Sequence, residues 1–120
     1  MTRTALILGA GIGGIVAAQT LRKLLPAADR VIAVDRAEQH VFQPSLLWLV
    51  TGARKPVDFT RSLGRLADKG VEMLHGTVTR IDASRRMAEI DGKTIGADAL
   101  IIALGADYAP EAIPGLADAG

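Results

Sequence analysis

Apolar residues near the two ends of this chain fall into short unbroken runs. Residues 4–8 (TALIL), 31–34 (VIAV) and 99–104 (ALIIAL) lack the polar alternation of a half-buried strand. Short continuous runs of this kind predict strands of a parallel sheet covered on both faces. Between the first two runs, residues 15–25 supply helix-forming residues until Pro26 ends them. Residues 4–35 thus have the order and size of one βαβ unit.

The middle of the chain is more varied. Residues 37–43 are mixed and predict no regular element, whereas Pro44 opens the apolar stretch 45–50 (SLLWLV), closed by Gly52. Proline pre-sets φ for a first helical position, so a short helix is predicted there. Asp58 is placed to cap a helix running through Lys69, with Leu63, Leu66 and Ala67 on one face and Gly70 as its stop. Residues 71–74 then read as a core strand, and 77–82, 87–90 and 94–97 as short extended segments. Asp91-Gly92 between the last two is a strong hairpin signal, and the three segments predict an antiparallel β-meander. The fold expected is therefore α/β, a parallel βαβ sheet with a small antiparallel meander. No internal repeat or low-complexity linker interrupts it.

Composition narrows the functions open to such a fold. With 120 residues, 49% of them hydrophobic, one domain with its own core is expected. The net charge of +1 gives no basic face for nucleic acid. The chain has no cysteine, so any redox chemistry must belong to a bound cofactor. The opening MTRT and its apolar run resemble a signal peptide only until the glycines interrupt them, and no apolar stretch approaches the roughly 20 residues that span a bilayer. A cytoplasmic location is expected, with peripheral membrane contact left open.

Gly9, Gly11 and Gly14 carry the spacing G-x-G-x-x-G directly after the first predicted strand. Gly9 would permit the tight turn, Gly11 would let the backbone approach a pyrophosphate, and Gly14 would allow close helix–strand packing. The unpaired N–H groups of Ile12 and Gly13 at the helix start suit phosphate oxygens. The alternative is a βα turn with no ligand. Asp35, at the end of the second strand and about twenty residues beyond the motif, is positioned to bond an adenosine ribose. Its charge disfavours a 2′-phosphate and favours FAD or NAD over NADP. Arg36 complicates that choice, because a guanidinium can stack on adenine or pair with a phosphate. His40 and His75 have no partner at catalytic or metal-ligating spacing and read as structural or solvated, so no catalytic residue and no metal site is assigned. Arg54-Lys55 and Arg85-Arg86 read as solvated surface, and Asp82 and Asp98 as turn residues bonding their local backbone.

The stretches LGAGIGGIVAAQTLRKLLP, VDRAEQHVFQPSLLWLVTGAR, HGTVTRID, DALIIALGADYAP and IPGLADAG, in that order, cover nearly all of the chain. In them the chain resembles the N-terminal part of the two-dinucleotide-binding-domain flavoproteins. The resemblance is strongest to the sulfide:quinone oxidoreductase and flavocytochrome c sulfide dehydrogenase branch, near the type II NADH dehydrogenases. It implies a Rossmann-like FAD-binding domain in which the first glycine motif holds FAD. It also implies that the backbone at Thr77 and Val78 approaches the adenine. The loop Ala103-Leu104-Gly105 would pass near the diphosphate and ribityl chain, although the family often has threonine where Leu104 stands. Pro44, in Phe42-Gln43-Pro44, is carried over as a neighbour of the flavin ring. For Phe42, Leu46 and Leu47 the alternative is ordinary core, favoured for the leucines by their usual burial, with Trp48 open. An apolar face there would suit a quinone or a membrane.

The same resemblance implies what these residues do not contain. Its sulfide-oxidising members use redox-active cysteines and a quinone or haem partner, and its NADH-using members a second glycine motif for NAD(P)H. Residues 1–120 are therefore expected to be the N-terminal part of an FAD/NAD(P)-binding domain, ending by truncation ahead of the second nucleotide-binding and C-terminal domains. Such a piece is expected to hold FAD weakly, to turn over little by itself and to self-associate, including as a homo-oligomer. A stand-alone, non-catalytic NAD-binding or interaction module is the alternative function.

Overall fold

The computed structural model describes residues 1–118. Strand β1 (Thr4–Leu8), helix α1 (Ile12–Leu24) and strand β2 (Arg30–Asp35) form the βαβ unit. The chain continues through strand β3 (Gln39–Val41), a 3-10 turn (Gln43–Ser45), helices α2 (Leu46–Val50) and α3 (Pro56–Phe59), and strand β4 (Thr60–Ser62). A 3-10 helix (Leu63–Lys69) leads into strand β5 (Glu72–His75). Strands β6 (Val78–Asp82), β7 (Met87–Ile90) and β8 (Lys93–Gly96) form the meander, and β9 (Ala99–Ile102) returns to the main sheet. The main sheet is parallel throughout, in the order β5-β2-β1-β9.

Both faces of β1 and β2 are covered, which accounts for their unbroken apolar runs. The run 99–104 instead forms an edge strand and its exit, with Ile102 53% and Leu104 51% exposed. Ile7, Val31 and Ala33 point toward α1 and the 3-10 helix, where they pack with Ala18, Leu63 and Leu66. Leu6, Leu8, Ile32 and Val34 point the other way, onto Ala88 and Ile90 of the meander. Burying each larger aliphatic side chain contributes about 1.5–3 kcal/mol before chain entropy is counted. The hairpin between β7 and β8 turns on Asp91 (φ 48°) and Gly92 (φ 80°), both left-handed as a two-residue hairpin of this kind requires.

Several expectations give way. The predicted helix over 58–69 is broken by β4, which pairs antiparallel with β3, itself a strand where irregular chain was expected. Asp58 lies inside α3, its Oδ2 accepting the Lys55 N–H at 2.7 Å. Ser62 caps the 3-10 helix instead, its Oγ accepting the Gly64 N–H at 3.2 Å. A three-residue repeat brings Leu63 and Leu66 into the core but leaves Ala67 exposed. Gly70 does end this helix, at φ 78°. Helix α1 begins at Ile12, three residues ahead of the expected start, because the glycine turn delivers the chain directly into it. Leu46 and Leu47 are not core: α2 is an outlying turn on which Leu47 is 77% and Trp48 51% exposed. Arg54 is bound rather than merely solvated, donating to Ser45 Oγ at 2.9 Å with its guanidinium 5.8 Å from the Trp48 ring centre. Asp82 does bond locally, to Ser84 Oγ and the Arg85 N–H. Asp98 reaches across the chain to accept the Thr4 N–H at 2.7 Å, joining the start of β1 to the approach to β9.

Asp29 ties the N-terminus to the end of the crossover. Its carboxylate, 4% exposed, accepts the Arg3 backbone N–H at 3.0 Å and the Arg3 guanidinium at 3.0 and 3.2 Å. The Arg3 backbone bond, joined by the Arg3 side chain and the positive charge of Arg22, lowers its pKa against the opposing effect of burial. A depressed carboxyl pKa contributes stability above its unfolded value of about 3.9 and loses it as pH falls through the folded value. Asp29→Asn is therefore expected to lower the melting temperature at pH 7, with the gap to the parent closing below about pH 4. A gap of constant size in thermal melts across that range would show that the charge contributes nothing.

Candidate functional site

The site lies outside the carboxyl ends of β1, β2 and β9, where the chain leaves β1 for β2 on one side and β9 lies on the other. This is the switch point at which open parallel sheets present ligand crevices. Gly9 donates its N–H to Val34 O at 2.7 Å, and Ala103 donates to Leu8 O at 2.7 Å, holding the glycine turn between two strand ends. Gly9 has φ +95°, and a Cβ there would lie 2.2 Å from Ala103 O. A Cβ on Gly14 would lie 1.8 Å from Gly9 O, so the first turn of α1 rests directly on the turn's backbone. Gly11 and Gly13 differ in kind, since a Cβ on either meets nothing within 4 Å.

Those open positions face a cleft. Gly11 caps α1 with no side-chain bond to the helix end, leaving the first-turn N–H groups without an intrahelical partner. A cavity of about 620 Å³ runs from Gly11 and Ile12 past Ala103 and Gly105 to Gln43 and Tyr108. A second, of about 300 Å³, is walled by Gly9, Asp35, Arg36, Thr77, Val78 and Leu104, among others. Asp35 and residues 104–107 line both. Sharing that wall, the two are adjacent parts of one channel, and the start of α1 borders its larger part.

Most of the residues expected from sequence meet here. Gly9, Gly11, Ile12, Asp35, Arg36, Thr77, Val78, Ala103, Leu104 and Gly105 all border the channel. Gly14 lies beneath it as the packing glycine. Gly13 stands in the exposed first turn, and Pro44 in the 3-10 turn beside Gln43, which borders the channel itself. Asp35 is engaged by backbone: Oδ2 accepts the Ala10 N–H at 2.7 Å and Oδ1 the Ala37 N–H at 2.8 Å. Each carboxylate oxygen keeps a lone pair for a ribose hydroxyl. Thr77 is held to Asp91 through both of its backbone groups, its N–H donating to the Asp91 carboxylate Oδ1 and its carbonyl accepting the Asp91 N–H, both at 3.1 Å. His75 Nε2 donates to Arg36 O at 2.7 Å, a structural tie as expected. His40 is half-buried at the cleft's edge. No group of acidic or histidine side chains suited to a metal occurs among the described residues.

Gly76, Asp107 and Tyr108 border the channel without having been singled out in sequence. Gly76 had a signal. Glycines 9, 76 and 105 each follow a strand of the main sheet within a few residues, where turns must clear the crevice. Asp107 had none, for its position depends on how the chain leaves the Gly105 turn, at φ +73°.

Fold and channel together define a Rossmann-like nucleotide-binding domain of the α/β class. The chain belongs to the pyridine nucleotide-disulphide oxidoreductase family, whose model matches residues 3–120. It is 32% identical over 112 residues to the mitochondrial sulfide:quinone oxidoreductase of Mus musculus, an alignment covering 92% of this chain and 25% of that protein. It is also 32% identical over 124 residues to a type II NADH:quinone oxidoreductase of Mycobacterium tuberculosis, covering 92% and 26%. Among solved structures, the sulfide:quinone oxidoreductase of Aquifex aeolicus superposes with a TM-score of 0.83 at 27% identity, over 90% of this chain and 25% of that one. The chain thus spans about a quarter of the length of these relatives.

The two kinds of glycine predict two kinds of variant. Gly14→Ala forces a methyl group into the Gly9 carbonyl and is expected to cost about 3 kcal/mol or more, read as a lower midpoint in urea. Gly11→Ala is expected to leave that midpoint unchanged, since nothing lies within 4 Å of the added carbon.

Proposed function

We propose that this chain is the FAD-binding portion of a flavin-dependent oxidoreductase of the sulfide:quinone type, which passes electrons from a small donor through FAD to a quinone. The observation that carries this reading is the channel whose larger part is bordered by the uncapped start of α1 beside Gly11 and whose smaller part is walled by Asp35, Thr77 and Val78. A dinucleotide needs those parts: room for the adenosine, room for its second half, and backbone donors for the diphosphate. FAD, when bound, supplies the two-electron acceptor that a chain without cysteine lacks.

The residues divide the work. The first-turn N–H groups at Ile12 and Gly13 bind diphosphate oxygens, helped by the positive end of the helix dipole. Gly11 keeps the approach clear. Asp35 accepts ribose hydroxyls, Val78 and Thr77 wall the adenine end, and Leu104 with Gly105 closes the channel from the β9 side. Leu104 offers no hydroxyl, so this wall bonds through backbone alone. Gln43 and Pro44 lie toward the ring end of the larger cavity. The quinone assignment draws on the names of the relatives, two of which are quinone oxidoreductases using different donors, sulfide and NADH. The exposed Leu47, Trp48 and Val50 of α2 supply an apolar face suited to such an acceptor or to the membrane that dissolves it. No helix of the described residues is long and apolar enough to cross a membrane. The sequence holds one G-x-G-x-x-G, assigned here to FAD, which leaves none for NAD(P)H.

Titration of the purified chain with FAD, followed by quenching of flavin fluorescence, tests this reading. Saturable binding is expected, weakened at least about tenfold by Gly11→Val, whose branched side chain would stand in the diphosphate path. Equal binding by parent and variant would remove the diphosphate from this turn. Binding of NAD in preference to FAD would favour a colourless nucleotide-binding module instead. Steady turnover with FAD, sulfide or NADH, and a soluble quinone is not expected from these residues alone, which wall the adenosine and diphosphate more fully than the ring.

A further inference from the structure

Among the described residues Arg36 is the only cation bordering the smaller cavity, and its position beside Asp35 would suit a ribose 2′-phosphate. Its guanidinium is already partnered, however. Nη2 donates to Asp107 Oδ2 at 3.4 Å, an ion pair between the end of β2 and the loop after β9. Asp107 borders both cavities, and its other oxygen, Oδ1, accepts the Tyr108 N–H at 2.9 Å, which aims the carboxylate. The charged side chains bordering the smaller cavity are Asp35, Arg36 and Asp107, so two carboxylates outweigh one guanidinium.

Resting on the dinucleotide reading above, we propose that Asp107 is a specificity-determining residue of this site: it neutralises Arg36 and so excludes nucleotides bearing a 2′-phosphate. Asp35 alone does not secure that exclusion, because both its oxygens are drawn to the N–H groups of Ala10 and Ala37, and an unpaired Arg36 would offset its charge. Asp107 removes the offset. The pair is exposed, 72% at Arg36 and 80% at Asp107, so its effect is modest and sensitive to salt.

The test compares ADP-ribose with 2′-phospho-ADP-ribose, which differ only in the phosphate at issue, by calorimetric titration of the whole chain at low ionic strength. The parent is expected to prefer ADP-ribose. Asp107→Asn retains the Oδ1 that accepts from Tyr108 and is expected to shift the ratio of the two affinities about twofold to fivefold toward the 2′-phosphate, the upper part of what an exposed ion pair contributes. Adding Arg36→Ala should abolish that shift, because the freed guanidinium is its agent. An unchanged ratio in Asp107→Asn would overturn the proposal. So would a shift that survives in the double variant, which would mean that Asp107 acts only by repulsion. If the parent binds neither probe, nor FAD, the dinucleotide reading fails and this inference falls with it. If the parent binds ADP-ribose and the ratio does not move, only the role of Asp107 fails.

Discussion

Three pieces of backbone meet at Gly9 with no room for a methyl group between them. The carbonyl of Ala103 lies where a side chain on Gly9 would begin, and the carbonyl of Gly9 lies where one on Gly14 would begin. The end of β1, the start of α1 and the exit from β9 can therefore converge to backbone contact. Everything at the site follows from that convergence. It turns the open end of α1 toward the crevice, and it brings the loop carrying Leu104 to Asp107 over the same space as the end of β2.

The two sheet faces make the convergence stable rather than merely possible. With alternate residues of β1 and β2 buried on opposite sides, a slip of one residue would exchange both sets of packing partners at once. Hydrogen bonds at the strand ends then refine what the register sets. Asp35 spans Ala10 and Ala37 through its side chain and accepts the Gly76 N–H at 2.9 Å through its backbone. A single short acid thereby joins the glycine turn, the exit from β2 and the exit from β5.

What was legible in the sequence is what local chemistry determines. Continuous apolar runs, Pro26, the Asp91-Gly92 turn and the glycine spacing each carry their own physical reason, and the parallel strands, the meander and the glycine-turn and Asp35 side of the channel followed from them. Thr77, Val78 and residues 103–105 were legible only through the family resemblance. The region from 37 to 69 was legible only in part, for there the outcome depends on partners distant in sequence. Thr60 to Ser62 are extended because Gln39 to Val41 lie alongside, and neither segment signals this alone. Leu46 and Leu47 look like core residues by type, yet α2 stands clear of both clusters, so their composition misleads about their burial. Asp107 was invisible for a related reason: its meaning comes from Arg36, which only the folded sheet brings near.

The place of β1 in the sheet has a bearing on how the molecule is made. Its neighbour β2 follows soon after it in the chain, whereas its other neighbour, β9, leaves the ribosome only after β2 to β8 have done so. During synthesis β1, one of the sheet's two interior strands, therefore has one bare edge, a template for pairing with another nascent chain until residues 99–102 emerge. The glycine turn is unsupported for just as long, because the Ala103 carbonyl against which it packs is not yet present. A ligand held by that turn would bind only once β9 is in place. It would draw β9 onto β1 by mass action and protect that edge from mispairing.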